Sequence, residues 1–134
     1  MMRVSDLMQT EVQTVASDAV VNDAAISLAD SHISGMPVVD AAGRMIGVIS
    51  STDIMASEEE AADEAAKVVL FERTLVKDLM TPRALTISPE ADIREAARQL
   101  LDADVHRLFV IRGERLIGVI STSDIMRAVA TGQL

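Results

Sequence analysis

The stretch that decides the fold is residues 47–55, with the sequence GVISSTDIM. It occurs again, nearly letter for letter, as GVISTSDIM at residues 118–126. Each copy reads as a short apolar strand, then hydroxyl residues and an aspartate, then the apolar start of a helix. Because the whole strand-to-helix junction is duplicated, the chain is predicted to consist of two copies of one unit.

The repeat extends beyond these junctions. A shift of 72 positions aligns Val4 with Val76 and holds as far as Val38 and Val110, after which the offset becomes 71. Each copy carries signals for a helical turn, a strand, a capped helix and a two-stranded hairpin, in that order. The predicted first strands are residues 12–15 and 84–87, the predicted N-caps are Ser17-Asp18 and Ser88-Pro89-Glu90, and the predicted hairpins are 36–39 with 45–49 and 108–111 with 116–120.

These signals predict an α+β fold of two β-α-β-β-α repeats. A unit of this size cannot bury both of its helices alone, so the two are expected to pack sheet to sheet with pseudo-two-fold symmetry. The predicted boundaries are 1–62 for the first repeat and 63–134 for the second. The connection at about 56–74 is rich in Ala and Glu and lacks Pro and Gly, which predicts one acidic helix with a solvated face.

Composition excludes several function classes. The 134 residues include no Cys and only two His, which argues against a thiolate metal site, a haem site or a Cys nucleophile. No apolar run is long enough for a membrane span and the N-terminus lacks a secretory signal, so the expected location is the cytoplasm. The net charge of −9 and the two Phe as sole aromatic residues argue against nucleic-acid binding.

The charge is divided unevenly between the two halves. Residues 1–66 hold 2 basic and 12 acidic residues, whereas residues 67–134 hold 10 basic and 9 acidic residues. An anionic ligand would therefore obtain its cations mostly from the second half.

The Ser/Asp motif has two interpretations on its own chemistry. A serine followed three residues later by a carboxylate at a helix start is a capping box, which satisfies free backbone amides. The same free amides and the positive end of the helix dipole also attract phosphate, and a carboxylate accepts paired hydrogen bonds from a ribose diol. Local sequence leaves both interpretations open.

The duplicated motif resembles a pair of CBS domains, the regulatory repeats named after cystathionine β-synthase. The openings VSDLM and VKDLM and the segments ISGMPVVD (33–40) and VHRLFV (105–110) carry the same resemblance, which covers residues 4–130. It implies that Asp53 and Asp124 hold the ribose of an adenine nucleotide. It also implies that hydroxyls approach ribose and phosphate in each motif: Ser50 and Thr52, and Ser121 and Ser123.

The resemblance further implies composite sites, in which the first strand of one repeat faces the Ser/Asp motif of the other. Asp124 would then act with Val12 and Gln13, and Asp53 with Ala84 and Leu85. The apolar slot for the base would include Ile33, Val48, Val105 and Val119, all of which are equally read as core residues. Arg83 beside this slot is either a phosphate partner or a solvent-exposed charge.

The pair His106-Arg107 differs between the repeats. An arginine fork suits phosphate, and the resemblance implies phosphate contacts at this place, although a surface arginine and a half-exposed histidine are the alternative. The first repeat has Ser34-Gly35 instead. One of the two sites is thus expected to lack this cation.

The resulting prediction is a regulatory, non-enzymatic module that binds AMP, ADP, ATP or S-adenosylmethionine, with or without Mg²⁺ and with no obligatory cofactor. No nucleophile set, Walker loop or GxGxxG motif occurs. A homodimer is expected through the apolar helices at 51–55 and 123–130. The alternative is a protein-interaction module that regulates a partner enzyme or transporter without binding a ligand.

Overall fold

The structure is a computed structural model that describes residues 1–82 and 85–134. Its elements follow the predicted order in each repeat, with one further helix between the repeats. The elements of the first repeat and the connection are α1 (Val4–Leu7), β1 (Val15–Ala16), α2 (Val21–Asp30), β2 (Gly35–Val39), β3 (Met45–Ser50), α3 (Ser51–Glu60) and α4 (Glu64–Arg73). Those of the second are α5 (Val76–Leu79), β4 (Thr86–Ile87), α6 (Ile93–Ala103), β5 (Arg107–Arg112), β6 (Arg115–Ser121) and α7 (Thr122–Ala130).

Each repeat contributes a three-stranded sheet, which confirms the α+β class and the two β-α-β-β-α units. The strand orders are β1-β2-β3 and β4-β5-β6, with a parallel first pair and an antiparallel hairpin. The hairpins lie where the sequence predicts them, with each strand longer by one or two residues. Among the described residues, the first strands begin later than predicted, since the pairs with a neighbouring strand are formed by Val15–Ala16 and Thr86–Ile87.

The chain forms two compact units whose boundaries differ from those of the repeats. One unit consists of Met1–Val12 and Leu85–Leu134, and the other begins at Gln13 and contains the remaining described residues. The opening helices are exchanged: Val4 N–H donates to Ala91 O at 2.9 Å, and Val76 N–H donates to Ala19 O at 2.8 Å. The boundary predicted after residue 62 divides the sequence repeats and, as a domain boundary, stays a prediction.

Each unit has its own apolar core. The exchanged helices contribute to these cores, since Val4 and Val76 are both fully buried. The first core contains Val15, Val21, Ala24, Leu28, Met36, Val38, Ile49, Ile54 and Val76. The second contains Val4, Ile87, Ile93, Ala96, Leu100, Leu108, Val110 and Ile120.

Two predictions about helix ends are wrong. The single acidic helix over 56–74 is instead two helices, because Ala61 is extended and Asp63 begins a new helix by accepting Ala66 N–H at 2.8 Å. The predicted N-caps at Ser17-Asp18 and 88–90 also lie too early. Helix α2 begins after Val20 without a side-chain cap, and α6 is capped by Asp92, which accepts Arg94 N–H at 2.9 Å.

Candidate functional site

Both Ser/Asp motifs form capping boxes at the start of a helix. At α3, Asp53 N–H donates to Ser50 Oγ at 3.1 Å and Ser50 N–H donates to Asp53 Oδ2 at 3.2 Å. At α7, the corresponding distances for Asp124 and Ser121 are 3.1 and 2.9 Å. The capping interpretation is therefore confirmed for both motifs. The nucleotide interpretation stays a prediction. It would use the same carboxylates together with the groups that the capping boxes leave free.

Some of the donors in each motif are already occupied. The first amide of α3, Ser51 N–H, donates to Ser34 O at 2.9 Å, and that of α7, Thr122 N–H, donates to His106 O at 3.0 Å. The third amide belongs to the capping box, and the Ser50 and Ser121 hydroxyls are its acceptors. Within residues 1–82 and 85–134, the groups without a partner in these two turns are the amides and hydroxyls of the exposed Thr52 and Ser123 and the hydroxyl of the half-buried Thr122. Thr52 and Ser123 are the donors best suited to an anionic ligand.

The opening segment of each repeat lies against the motif of the other repeat. Gln9 and Val119 exchange backbone hydrogen bonds of 2.8 and 2.9 Å, and Thr81 and Val48 exchange bonds of the same lengths. Each contact is an isolated antiparallel bridge at the edge of β6 or β3. Each Ser/Asp motif thus meets the opening segment of the other repeat at Gln9 or Thr81, and the predicted pairing with 12–13 and 84–85 stays a prediction.

Glycine allows this close approach. A Cβ atom at Gly118 would lie 2.8 Å from both Gln9 O and Met8 Sδ, and one at Gly47 would lie 2.7 Å from Thr81 O and 2.6 Å from Met80 Sδ. These separations are shorter than real Cβ contacts allow. The first letter of the duplicated stretch therefore has a packing function, which explains why both copies begin with glycine.

The Asp124 carboxylate is buried and surrounded by donors. Its side chain is 6% exposed, and Oδ2 accepts from both the amide and the hydroxyl of Ser121 at 2.9 Å. Oδ1 accepts from Gln9 Nε2 at 3.1 Å and from Arg127 Nη1 at 3.4 Å. All of these donors belong to one compact unit, so this cluster is a fixed feature of that unit.

The Asp53 carboxylate has a different environment. It is half-buried, and the described residues provide one donor besides the capping box, Thr81 Oγ1, at 3.5 Å from Oδ2. No donor among them reaches Oδ1. The position equivalent to Arg127 is Ala56, which has no polar side chain. The two motifs share their capping geometry and differ at the second carboxylate oxygen.

The remaining predicted residues lie in several environments. Arg107 opens β5 opposite Ser121, with its guanidinium 5.9 Å from the centroid of the Phe109 ring, and His106 is exposed just before it. Ser34 and Gln13 are also exposed, and Gln13 accepts a hydrogen bond from the Ser31 hydroxyl. The residues predicted to form the slot for the base are half-buried, and the slot itself stays a prediction: Val12, Ile33, Val48, Val105 and Val119.

The last three predicted residues are consecutive in the chain, at positions 83–85. Leu85 is 47% exposed, and its carbonyl accepts Phe109 N–H at 3.1 Å. Arg83 and Ala84 lie outside the described residues. The predicted roles of all three stay predictions.

Sequence reasoning missed Gln9, Thr81 and Arg127. The repeat alignment contains the signal for the first two, because Gln9 and Thr81 occupy equivalent positions just after the matching openings. Arg127 follows Asp124 by three residues on a helix, a spacing that brings side chains together.

Two features are absent from the described part of the chain. It contains no group of three or more His, Cys, Asp or Glu side chains that could hold a metal ion. Its helices also include none with the length and apolar character needed to cross a membrane.

Comparison with known proteins identifies related sequences and folds. The CBS domain family matches twice, at residues 4–60 and 76–131. A homoserine O-acetyltransferase from Methanohalobium evestigatum is 25% identical over 127 residues, which are 94% of this chain and 24% of the enzyme. The chain thus spans about a quarter of the length of this relative, and CBS repeats are only one part of such an enzyme.

Two solved structures match nearly the whole chain. CBSX2 from Arabidopsis thaliana, described in complex with AMP, is 29% identical with a TM-score of 0.81, and the match covers 98% of both chains. A protein described as a putative acetoin utilization protein (AcuB) from Vibrio cholerae is 25% identical with a TM-score of 0.83, covering 99% of this chain and 93% of that one.

Proposed function

Because the chain belongs to the CBS domain family, we propose that it is a regulatory module that binds an adenine nucleotide through its Ser/Asp motifs. The observation that carries this proposal is the polar turn at α3. The Asp53 carboxylate keeps an oxygen that no described group occupies, and the exposed Thr52 lies next to it with a free amide and hydroxyl. A carboxylate that can accept from a ribose diol and donors that suit phosphate are thus one residue apart.

The relative with AMP supports the choice of ligand class. CBSX2 is described with AMP bound, and its match covers 98% of this chain at 29% identity. We therefore expect AMP to bind, with ADP, ATP and S-adenosylmethionine as competitors whose order the experiment decides. Mg²⁺ is not required for the contacts named here, so binding should persist in EDTA. The proposed location is the cytoplasm.

Calorimetric titration with AMP tests the proposal. Wild-type protein should give saturable heat, and Asp53→Ala should weaken binding about tenfold or more, because the ligand loses a charged hydrogen-bond acceptor. Asp63→Ala is a matched control, since Asp63 caps the start of α4, outside both motifs. The control should lose stability without losing affinity. Saturable binding that Asp53→Ala leaves intact would contradict the role of this motif.

A second candidate function is a non-enzymatic interaction module. Exposed apolar side chains on α6 and α7 favour it, since Leu101, Met126 and Val129 are 80%, 63% and 50% exposed. An apolar depression between these helices is lined by Ala97, Leu100, Leu101, Thr122, Ile125 and Met126. We propose that a second copy of the chain occupies this face, so that self-association and nucleotide binding occur in one module.

The equivalent face of the first repeat is partly covered by the chain itself. Helix α4 packs against α2 and α3, and its Phe71 lines the depression that Leu28 and Ile54 form there. A homodimer through α6 and α7 is therefore favoured over one through α2 and α3. The alternative function, regulation of a partner enzyme or transporter without a ligand, would be favoured only if the protein bound no nucleotide.

A further inference from the structure

The two Ser/Asp motifs have the same capping box, but they differ in the donors that surround the second carboxylate oxygen, Oδ1. Oδ1 of Asp124 is held by Gln9 Nε2 at 3.1 Å and by Arg127 Nη1 at 3.4 Å. Oδ1 of Asp53 has no donor among the described residues. A ribose diol donates two hydroxyl hydrogens to a carboxylate, so it requires acceptor positions that are not already occupied.

The difference follows from two substitutions between the repeats. Gln9 is equivalent to Thr81, whose shorter side chain approaches Asp53 only at 3.5 Å and on the capping-box oxygen. Arg127 is equivalent to Ala56, which cannot donate. The first repeat therefore has the same junction without the two donors that occupy Asp124.

Burial adds to this difference. The Asp124 side chain is 6% exposed, whereas the Arg127 side chain that covers it is 65% exposed. The Arg127 side chain can move into solvent at a small cost in free energy, because an ion pair with a solvent-exposed partner is weak. Gln9 is less free, since its backbone is fixed by two hydrogen bonds to Val119. Opening the Asp124 carboxylate thus requires movement of two side chains, one of them on an anchored segment.

We infer that the two motifs are unequal nucleotide sites, with Asp53 open and Asp124 blocked by Gln9 and Arg127. The inference rests on the proposed function. Gln9 and Arg127 then determine which motif the nucleotide prefers. The Asp124 motif binds only in the fraction of molecules in which both donors have left the carboxylate, and its apparent affinity is lowered in proportion to that fraction. The nucleotide binds first at the Asp53 motif and fills the Asp124 motif only at higher concentration.

Exchange of the equivalent residues tests this order. The double variant Gln9→Thr, Arg127→Ala gives the Asp124 motif the residues of the first repeat, and Ala56→Arg gives the Asp53 motif the arginine of the second. Calorimetric AMP titration should show one strong and one weak site in the wild type. The double variant should strengthen the weak site about tenfold, and Ala56→Arg should weaken the strong site by a similar factor.

Controls separate this inference from the proposed function. Asp53→Ala should weaken the strong site about tenfold or more, and Arg94→Ala, which removes an 82% exposed arginine of α6, should change neither site. Two equal sites in the wild type, or a double variant with unchanged affinities, would overturn the inference while the proposed function stands. Absence of AMP binding in the wild type and in the double variant would overturn the proposed function itself.

Discussion

The side-chain amide of Gln9 donates to Asp124 Oδ1 at 3.1 Å and joins residues that are 115 positions apart. This bond connects the opening segment of the first repeat to the polar turn of the second. It makes Asp124 part of the packing of its unit, whereas Asp53 has no equivalent donor at its Oδ1 in the described chain. The same motif thus has a larger structural role in one repeat than in the other.

We expect Asp124→Ala to destabilise the protein more than Asp53→Ala. Loss of the capping-box carboxylate costs about 1 kcal/mol, and the loss of Asp124 also leaves Gln9 Nε2 and the Ser121 hydroxyl without their acceptor, for a total of about 2–3 kcal/mol. Urea unfolding of both variants measures the difference, with Asp63→Ala as a reference for a simple cap. Equal losses for Asp124→Ala and Asp53→Ala would refute the additional role of Asp124.

The glycines that begin each motif should not tolerate a methyl group. Gly118→Ala and Gly47→Ala place a Cβ 2.6–2.8 Å from backbone or sulfur atoms of the opening segments, so each should cost about 1–3 kcal/mol of unfolding free energy. Gly35→Ala is the matched control, because its Cβ would meet its nearest neighbour at 3.5 Å. Thermal unfolding of the three variants provides the comparison. A Gly35→Ala variant as unstable as the other two would show that the close approach is not the cause.

The β2–β3 turn should respond to acid. Backbone donation from Arg44 N–H, at 2.9 Å, is the main cause that holds the pKa of Asp40 below its usual value of 3.8. A carboxyl whose pKa is depressed in the folded state stabilises that state above its unfolded pKa, and this contribution is lost as the pH falls through the folded pKa. NMR titration of the Asp40 carboxyl should give a midpoint below 3.8. A midpoint at or above 3.8 would be inconsistent with the turn described here.

Self-association should depend on the apolar face of α6 and α7. We expect the wild type to be a dimer and Leu101→Arg to be a monomer, because a charge placed in an apolar contact must be desolvated without a partner. Light scattering coupled to size-exclusion chromatography measures both masses, and Val69→Arg on the exposed part of α4 is the control. A monomeric wild type would exclude the proposed homodimer. A dimer that Leu101→Arg leaves intact would place the contact elsewhere.

The sequence predicted the features that local patterns determine. The duplicated junction predicted both strand-to-helix breaks, and the Ser-to-Asp spacing predicted both capping boxes at Ser50 and Ser121. Alternating apolar segments located the hairpins within two residues. These features depend on neighbours only a few positions away in the sequence. Each of them also occurs at the equivalent position of the other repeat, which supports the prediction.

Other features depend on contacts that no local pattern contains. Gln9 reaches Asp124 because the opening segments are exchanged between the repeats, and sequence spacing does not show such an exchange. The break between α3 and α4 was missed because Ala61 has high helix propensity, whereas Asp63 prefers the capping position that begins the next helix. The difference between the two carboxylates required the positions of Arg127 and Ala56 relative to the motif.

The most direct test of the account is an AMP titration followed by ¹H–¹⁵N NMR. We expect the amide signals of Thr52 and Asp53 to move first and to saturate, those of Ser123 and Asp124 to move at higher AMP, and those of α4 (Glu64–Arg73) to stay in place. Signals at both motifs that remain unchanged at millimolar AMP, with the protein folded, would contradict nucleotide binding at the Ser/Asp motifs.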